Sequence, residues 1–148
     1  MIEDIISRSS KGYPLGTRDV YELMQIKDPD SLDMLFSAAG KVRDRMFGKK
    51  IFTYGFVYFS TFCKNDCTFC YYRRSNGSIG RYRKTKEEII SLSANLLDAG
   101  VDLSDLTMGE DPEMYAGGYE GLLDIISGVH DEVGISIMAS PGAMPQHM

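Results

Sequence analysis

"IFTYGFVYFSTFCKNDCTFC", residues 51 to 70, joins two unlike kinds of sequence and decides how the rest is read. Its first nine residues are β-branched or aromatic nearly throughout, which predicts a strand buried on both faces of a parallel sheet. Its second half holds every cysteine of the chain, Cys63, Cys67 and Cys70, at spacings of four and three. A loop that follows a strand and concentrates all the thiols is the first candidate for chemistry.

Working toward the C-terminus, "TKEEIISLSANLLDAG" opens on a capping box, Thr85 with Glu88 three residues later. Ile89, Leu92 and Leu96 fall on one face, and Gly100 closes the helix. "LSDLTM" (103–108) then predicts a second strand. "YEGLLDIISGVHDEVG" predicts a second helix with Leu122, Ile125, Ile126, Val129 and Val133 inward, and "ISIMAS" (135–140) a third strand. Strand, helix, strand, helix, strand is the order of βαβ units, so the sheet is expected to be parallel and the fold class α/β. Functional groups in such sheets gather at the carboxyl ends of the strands. That rule collects the cysteine loop, "GEDPE" (109–113) and "SPG" (140–142) at one rim.

Toward the N-terminus the residues before 51 read as a helical extension. "DPDSLDMLFSAAGKVRDRMFG" offers Asp28, Asp30 or Ser31 as N-cap and Gly48 as a stop. Leu32, Leu35, Phe36, Ala39 and Val42 lie at helical spacing between them. "TRDVYELMQI" (17–26) predicts an earlier, shorter helix. The division expected is therefore 1–50, helical, and 51–148, the strands and their crossovers.

Bulk properties exclude several classes. The net charge of −5 argues against nucleic-acid binding, which calls for a basic face. The basic run "YYRRSNGSIGRYRK" (71–84) reads as a solvated loop or as a phosphate contact. No signal-peptide core and no run of eighteen apolar residues occurs, so a cytoplasmic protein with no membrane partner is expected. In that reducing compartment clustered thiols point to metal ligation or catalysis, and an odd count fits a disulfide framework poorly.

Thiolates suit zinc, copper(I) or iron–sulfur centres. Neither His130 nor His147 lies close in sequence as an obvious fourth ligand, and His130 reads as an ordinary surface or core-edge residue. Three thiolates on a four-iron cluster leave one iron open to a substrate or cofactor. An iron–sulfur electron-transfer module or a small zinc-binding domain remains as an alternative of another class; both normally use four protein ligands.

The pattern CxxxCxxC, with Phe69 before the third cysteine and a barrel-type strand before the first, resembles the signature of the radical S-adenosylmethionine enzymes. The resemblance implies a 4Fe–4S cluster held by Cys63, Cys67 and Cys70, with S-adenosyl-L-methionine as cofactor and a reductant protein as partner. It also implies the N-terminal part of a TIM-type (β/α) barrel. Gly109 and Glu110 then match the glycine–glutamate turn that faces the cofactor's amino group, with Met108 where the family has a first glycine. Phe69 would lie against the adenine, and Ser140 would be a further cofactor contact.

"KVRDRMFGKKIF", "FVYFSTFCKNDCTFCYYR", "RYRKTKEEI" and "DLTMGEDPEMY" are similar, within that superfamily, to the methylornithine synthase family. They are less close to the hydrogenase-maturation and biotin-synthase enzymes. The resemblance implies an isomerase, or mutase, that converts L-lysine to 3-methylornithine in pyrrolysine biosynthesis.

Alternation in "LSDLTM" points Asp105 into the barrel, where a carboxylate needs a partner. A substrate ammonium would supply one, and an ion pair with Arg81 or Arg83 is the other reading. A whole barrel takes about 250 residues. With three strands, the chain is expected to be the N-terminal portion of a longer enzyme and inactive by itself.

Overall fold

The computed structural model describes residues 2–145, and the chain divides into two compact units, Met1–Ile51 and Phe52–Met148.

The first unit is helical: α1 (Ile2–Ser10), α2 (Thr17–Met24) and α3 (Pro29–Phe47). Of the three N-cap candidates for α3, Asp28 takes the role, accepting a hydrogen bond from Ser31 N at 2.8 Å, with Pro29 opening the first turn. Gly48, at φ 62°, ends the helix. Leu32, Leu35 and Val42 are half-buried, whereas Phe36 and Ala39 of the expected stripe are exposed. Ile5 and Ile6 of α1 are buried, and Arg8 ties α1 to α2 by reaching Asp19 at 3.1 Å.

The second unit carries the site. β1 (Tyr54–Ser60), β2 (Leu103–Met108) and β3 (Ser136–Ser140) pair parallel in the order β1-β2-β3, joined by α4 (Lys86–Asp98) and α5 (Glu120–Val133). The α4 capping box forms as read: Glu88 N donates to Thr85 Oγ1, and Thr85 N donates to Glu88 Oε2 at 2.7 Å.

Strand alternation gives the sheet two unlike faces. Val57, Phe59, Leu106, Met108 and Ile135 form one core with Ile89 of α4 and Leu122, Ile125 and Val129 of α5. Burying each such side chain contributes about 1.5–3 kcal/mol, so this face holds the unit together.

The other face is open. There the register aligns Phe56 with Asp105 and Met138, and Tyr58 with Thr107 and Ser140. Tyr54 is 58% and Phe56 62% exposed. The expectation that β1 is buried on both faces is therefore corrected: its apolar run is covered by helices on one side only.

Candidate functional site

The three strands end at Ser60, Met108 and Ser140, and the three sequences singled out at those ends meet. The cysteine loop is closed at its base. Thr61 N donates to Tyr82 O at 3.1 Å, Lys84 N donates to Phe59 O at 2.8 Å, and Ser60 bridges Arg83 antiparallel. Within the loop, Cys70 N donates to Cys67 O and Arg74 N to Asn65 O, while Asp66 caps Ser75 N.

Cys63 and Cys70 are half-buried, and Cys67 is exposed. Asn65 N donates to Cys63 Sγ at 3.5 Å. Among the described residues no three His, Cys, Asp or Glu side chains form a group that could hold a metal ion, so the free thiols are not gathered to one point. The donor chemistry nevertheless fits a soft iron–sulfur centre: three thiols lie on one polar loop, and Cys63 and Cys70 both influence Tyr58 electrostatically. Burial, with those thiols and neighbouring tyrosines, pushes the Tyr58 phenol up to about 12, which keeps it neutral.

Opposite the loop stands the turn after β2. Gly109 N donates to Ser60 O at 3.1 Å, and Lys64 N donates to Glu110 O at 2.9 Å. A Cβ built on Gly109 would lie 2.4 Å from Phe62 O and 2.8 Å from Cys63 Cβ. No side chain fits there, so the turn and the first cysteine can approach only over a glycine. Met108 turns its side chain into the helix-side core and away from the rim.

Glu110 lies between two loops. Its Oε2 meets Lys64 Nζ at 3.0 Å, and this ammonium, with Asn65 and Ala143 N, holds the carboxyl below the usual range despite partial burial. A Cβ on Gly142 would sit 2.4 Å from Glu110 Cγ, so the turn after β3 closes against the same side chain. Tyr115 donates its hydroxyl to Pro141 O, and burial raises that phenol to about 12. Thr107 Oγ1 reaches Ser140 O at 3.4 Å; the contact at Ser140 is through its backbone.

Sequence reasoning missed the polar centre of this rim. Asp111 is fully buried and accepts from Ser60 Oγ, from Glu113 N, and from Arg83 through Nε at 2.6 Å and Nη2 at 2.9 Å. Desolvation raises its carboxyl, but Arg83, Ser60 and Glu113 N outweigh that and leave it below its ordinary value. The guanidinium of Arg83 also lies 3.8 Å over the Phe62 ring. Asp111 stood inside the quoted acidic turn, and its partner was the available signal.

Asp105 is 4% exposed on the open face, as alternation implied, and its Oδ1 has no hydrogen-bond partner. The alternative of an ion pair is corrected. Arg83 belongs to Asp111 and Glu113, and among the described residues Arg81 donates only to backbone carbonyls of the cysteine loop. Phe69 is 91% exposed. His130 lies on the surface beside Asp131, and His147 falls outside the described residues.

No protein-family model matches the chain. The 3-methylornithine synthase of Methanosarcina barkeri is 45% identical over 134 residues, which is 90% of this chain and 38% of that protein. The FeFe hydrogenase maturase subunit HydE of Thermotoga maritima is 30% identical over 88% of this chain and 36% of its own length. The crystal structure of methylornithine synthase (PylB) superposes with TM-score 0.72 at 42% identity, covering 95% of this chain and 41% of that one. The hydrogenase maturase HydG of Carboxydothermus hydrogenoformans gives 0.73 at 29% identity over 97% of this chain and 33% of its own.

The parallel α/β architecture expected from the sequence is thus shared with solved structures. The resemblance first read from the cysteine motif extends over nine tenths of the residues. In sequence and in fold the chain is a homologue of the 3-methylornithine synthases, of whose length it spans about two fifths.

Proposed function

We propose that the chain carries the cluster- and cofactor-binding portion of a radical S-adenosylmethionine enzyme that isomerises L-lysine to 3-methylornithine. The supporting observation is the packing of the Gly109–Glu110 turn onto Phe62 and Cys63, which brings a carboxylate receptor beside the thiol loop. A bound 4Fe–4S cluster with S-adenosyl-L-methionine supplies one-electron chemistry and the radical that abstracts a substrate hydrogen.

The chain's own residues have separate tasks. Cys63, Cys67 and Cys70 hold the cluster. Glu110, kept ionised, receives the ammonium of the cofactor's amino-acid end, and Gly109 lets the main chain approach it. Phe69 is free to stack on the adenine, and Ser140 borders the same rim. Asp105, an unpartnered carboxylate on the open face, receives the substrate ammonium and is desolvated at no further cost in doing so. Tyr58, between the thiols and the open face, remains a neutral hydrogen-bond donor. A reductant protein supplies the electron, and the setting is the cytoplasm.

The test is anaerobic reconstitution with iron and sulfide, followed by addition of S-adenosylmethionine. Broad visible absorption that disappears in a Cys63→Ala, Cys67→Ala, Cys70→Ala variant, together with a change in the cluster's paramagnetic resonance spectrum on cofactor addition, is expected. Zinc in place of iron, or a cluster spectrum indifferent to the cofactor, overturns the reading.

A further inference from the structure

The loop that holds the three cysteines is organised around one side chain that carries none of the expected chemistry. Arg81 donates through Nη1 to Thr61 O and to Tyr72 O at 2.8 Å. Through Nη2 it donates to Arg73 O at 2.7 Å and to Asn76 O at 3.3 Å. Thr61 and Asn76 bracket Cys63, Cys67 and Cys70, so one planar guanidinium joins both flanks of the thiol-bearing segment. Arg73 Nη1 adds a bond to Cys70 O at 3.1 Å from within.

A chain with few regular hydrogen bonds must satisfy its carbonyls somehow. The fork of N–H donors on arginine can serve several fixed acceptors at once, which a lysine ammonium, a compact point charge, cannot reproduce. Arg81 makes no carboxylate contact among the described residues, so its geometry answers to the loop alone.

We infer that Arg81 is a positioning residue. It fixes the path of residues 61–76, the one loop that carries all three thiols, so that Cys63 and Cys70 stay partly shielded while Cys67 remains exposed. The function assigned to the shaped loop rests on the cluster reading above; the shaping itself does not.

The experiment uses the full chain in two states. In the metal-free protein, residue-by-residue alkylation by iodoacetamide is followed by mass spectrometry for wild type, Arg81→Ala and Arg81→Lys. In parallel, iron bound after anaerobic reconstitution is measured for each. Removing the guanidinium is expected to speed alkylation of Cys63 and Cys70 about tenfold, equivalent to about 1.4 kcal/mol of lost local stability, while exposed Cys67 changes little. Bound iron falls in the same variant, and Arg81→Lys lies between.

Unchanged alkylation of Cys63 and Cys70 in folded Arg81→Ala overturns the inference. If Arg81→Ala does not fold, Arg81→Lys decides: several-fold faster alkylation of those two thiols supports it, and a wild-type pattern overturns it. Should the wild type take up no iron, the cluster reading falls, and the alkylation ratio still decides the role of Arg81.

Discussion

Arg83 grips Asp111 with two nitrogens, Nε at 2.6 Å and Nη2 at 2.9 Å, although twenty-eight residues separate them. The pair joins the segment that leaves the cysteine loop to the turn that faces it. Asp111 is fully buried, and removing it takes the acceptor from Ser60 Oγ and Glu113 N, while Arg83 keeps its ion pair with Glu113. Asp111→Ala is expected to cost about 3 kcal/mol in urea unfolding, and Asp111→Asn, which keeps the shape and an acceptor for Ser60, less.

The same pair predicts a pH dependence. The folded carboxyl titrates below its ordinary value of 3.8, so the unfolded chain takes up the proton more readily. The contribution is therefore fully present at neutral pH and fades as pH falls below about 4. Comparing urea midpoints of wild type and Asp111→Asn between neutral and acid pH checks this: the wild-type advantage should shrink on the acid side only.

Gly109→Ala places a methyl group against backbone that cannot rotate away. A loss of about 1–3 kcal/mol is expected, with reduced iron uptake, because the turn must withdraw from Cys63. Gly80→Ala, where nothing lies within 4 Å of the added carbon, is the matched control and should stay within about 0.5 kcal/mol.

Asp105→Asn should separate stability from binding. Its buried, unpaired Oδ1 is a liability while no ligand is bound, and removing the charge should raise the melting temperature by about 2–5 °C. Lysine affinity, measured by calorimetry in the presence of the cofactor, should fall. A variant that binds lysine as the wild type does removes Asp105 from the substrate site.

Lys64 is half exposed, so its pair with Glu110 adds little to stability; Lys64→Gln should change unfolding by less than about 0.5 kcal/mol. The Glu110 carboxyl, followed by NMR, should nevertheless titrate closer to its ordinary 4.5 once the ammonium is gone.

What could be read from the sequence was what neighbours in the chain decide. The Thr85–Glu88 cap, the strand at 103–108 and the inward face of α5 depend on residues within a turn of one another. Alternation likewise put Asp105 on the face opposite Leu106 and Met108. The exposure of Phe56 was not legible, because an apolar run does not state whether a second layer covers it. Arg83 was, with Arg81, the ion-pair partner offered to Asp105. Only the path of the returning segment beside β1 shows that it meets Asp111 instead.

The open side of the sheet has a practical corollary. Tyr54 and Phe56 on β1 and Met138 on β3 are exposed there, and these are the outer strands, with one paired neighbour each among the described residues. Crowded molecules therefore meet both a greasy surface and spare main-chain donors and acceptors. Colloidal behaviour in concentrated samples, followed by light scattering, should be governed by this aromatic row more than by the modest overall negative charge.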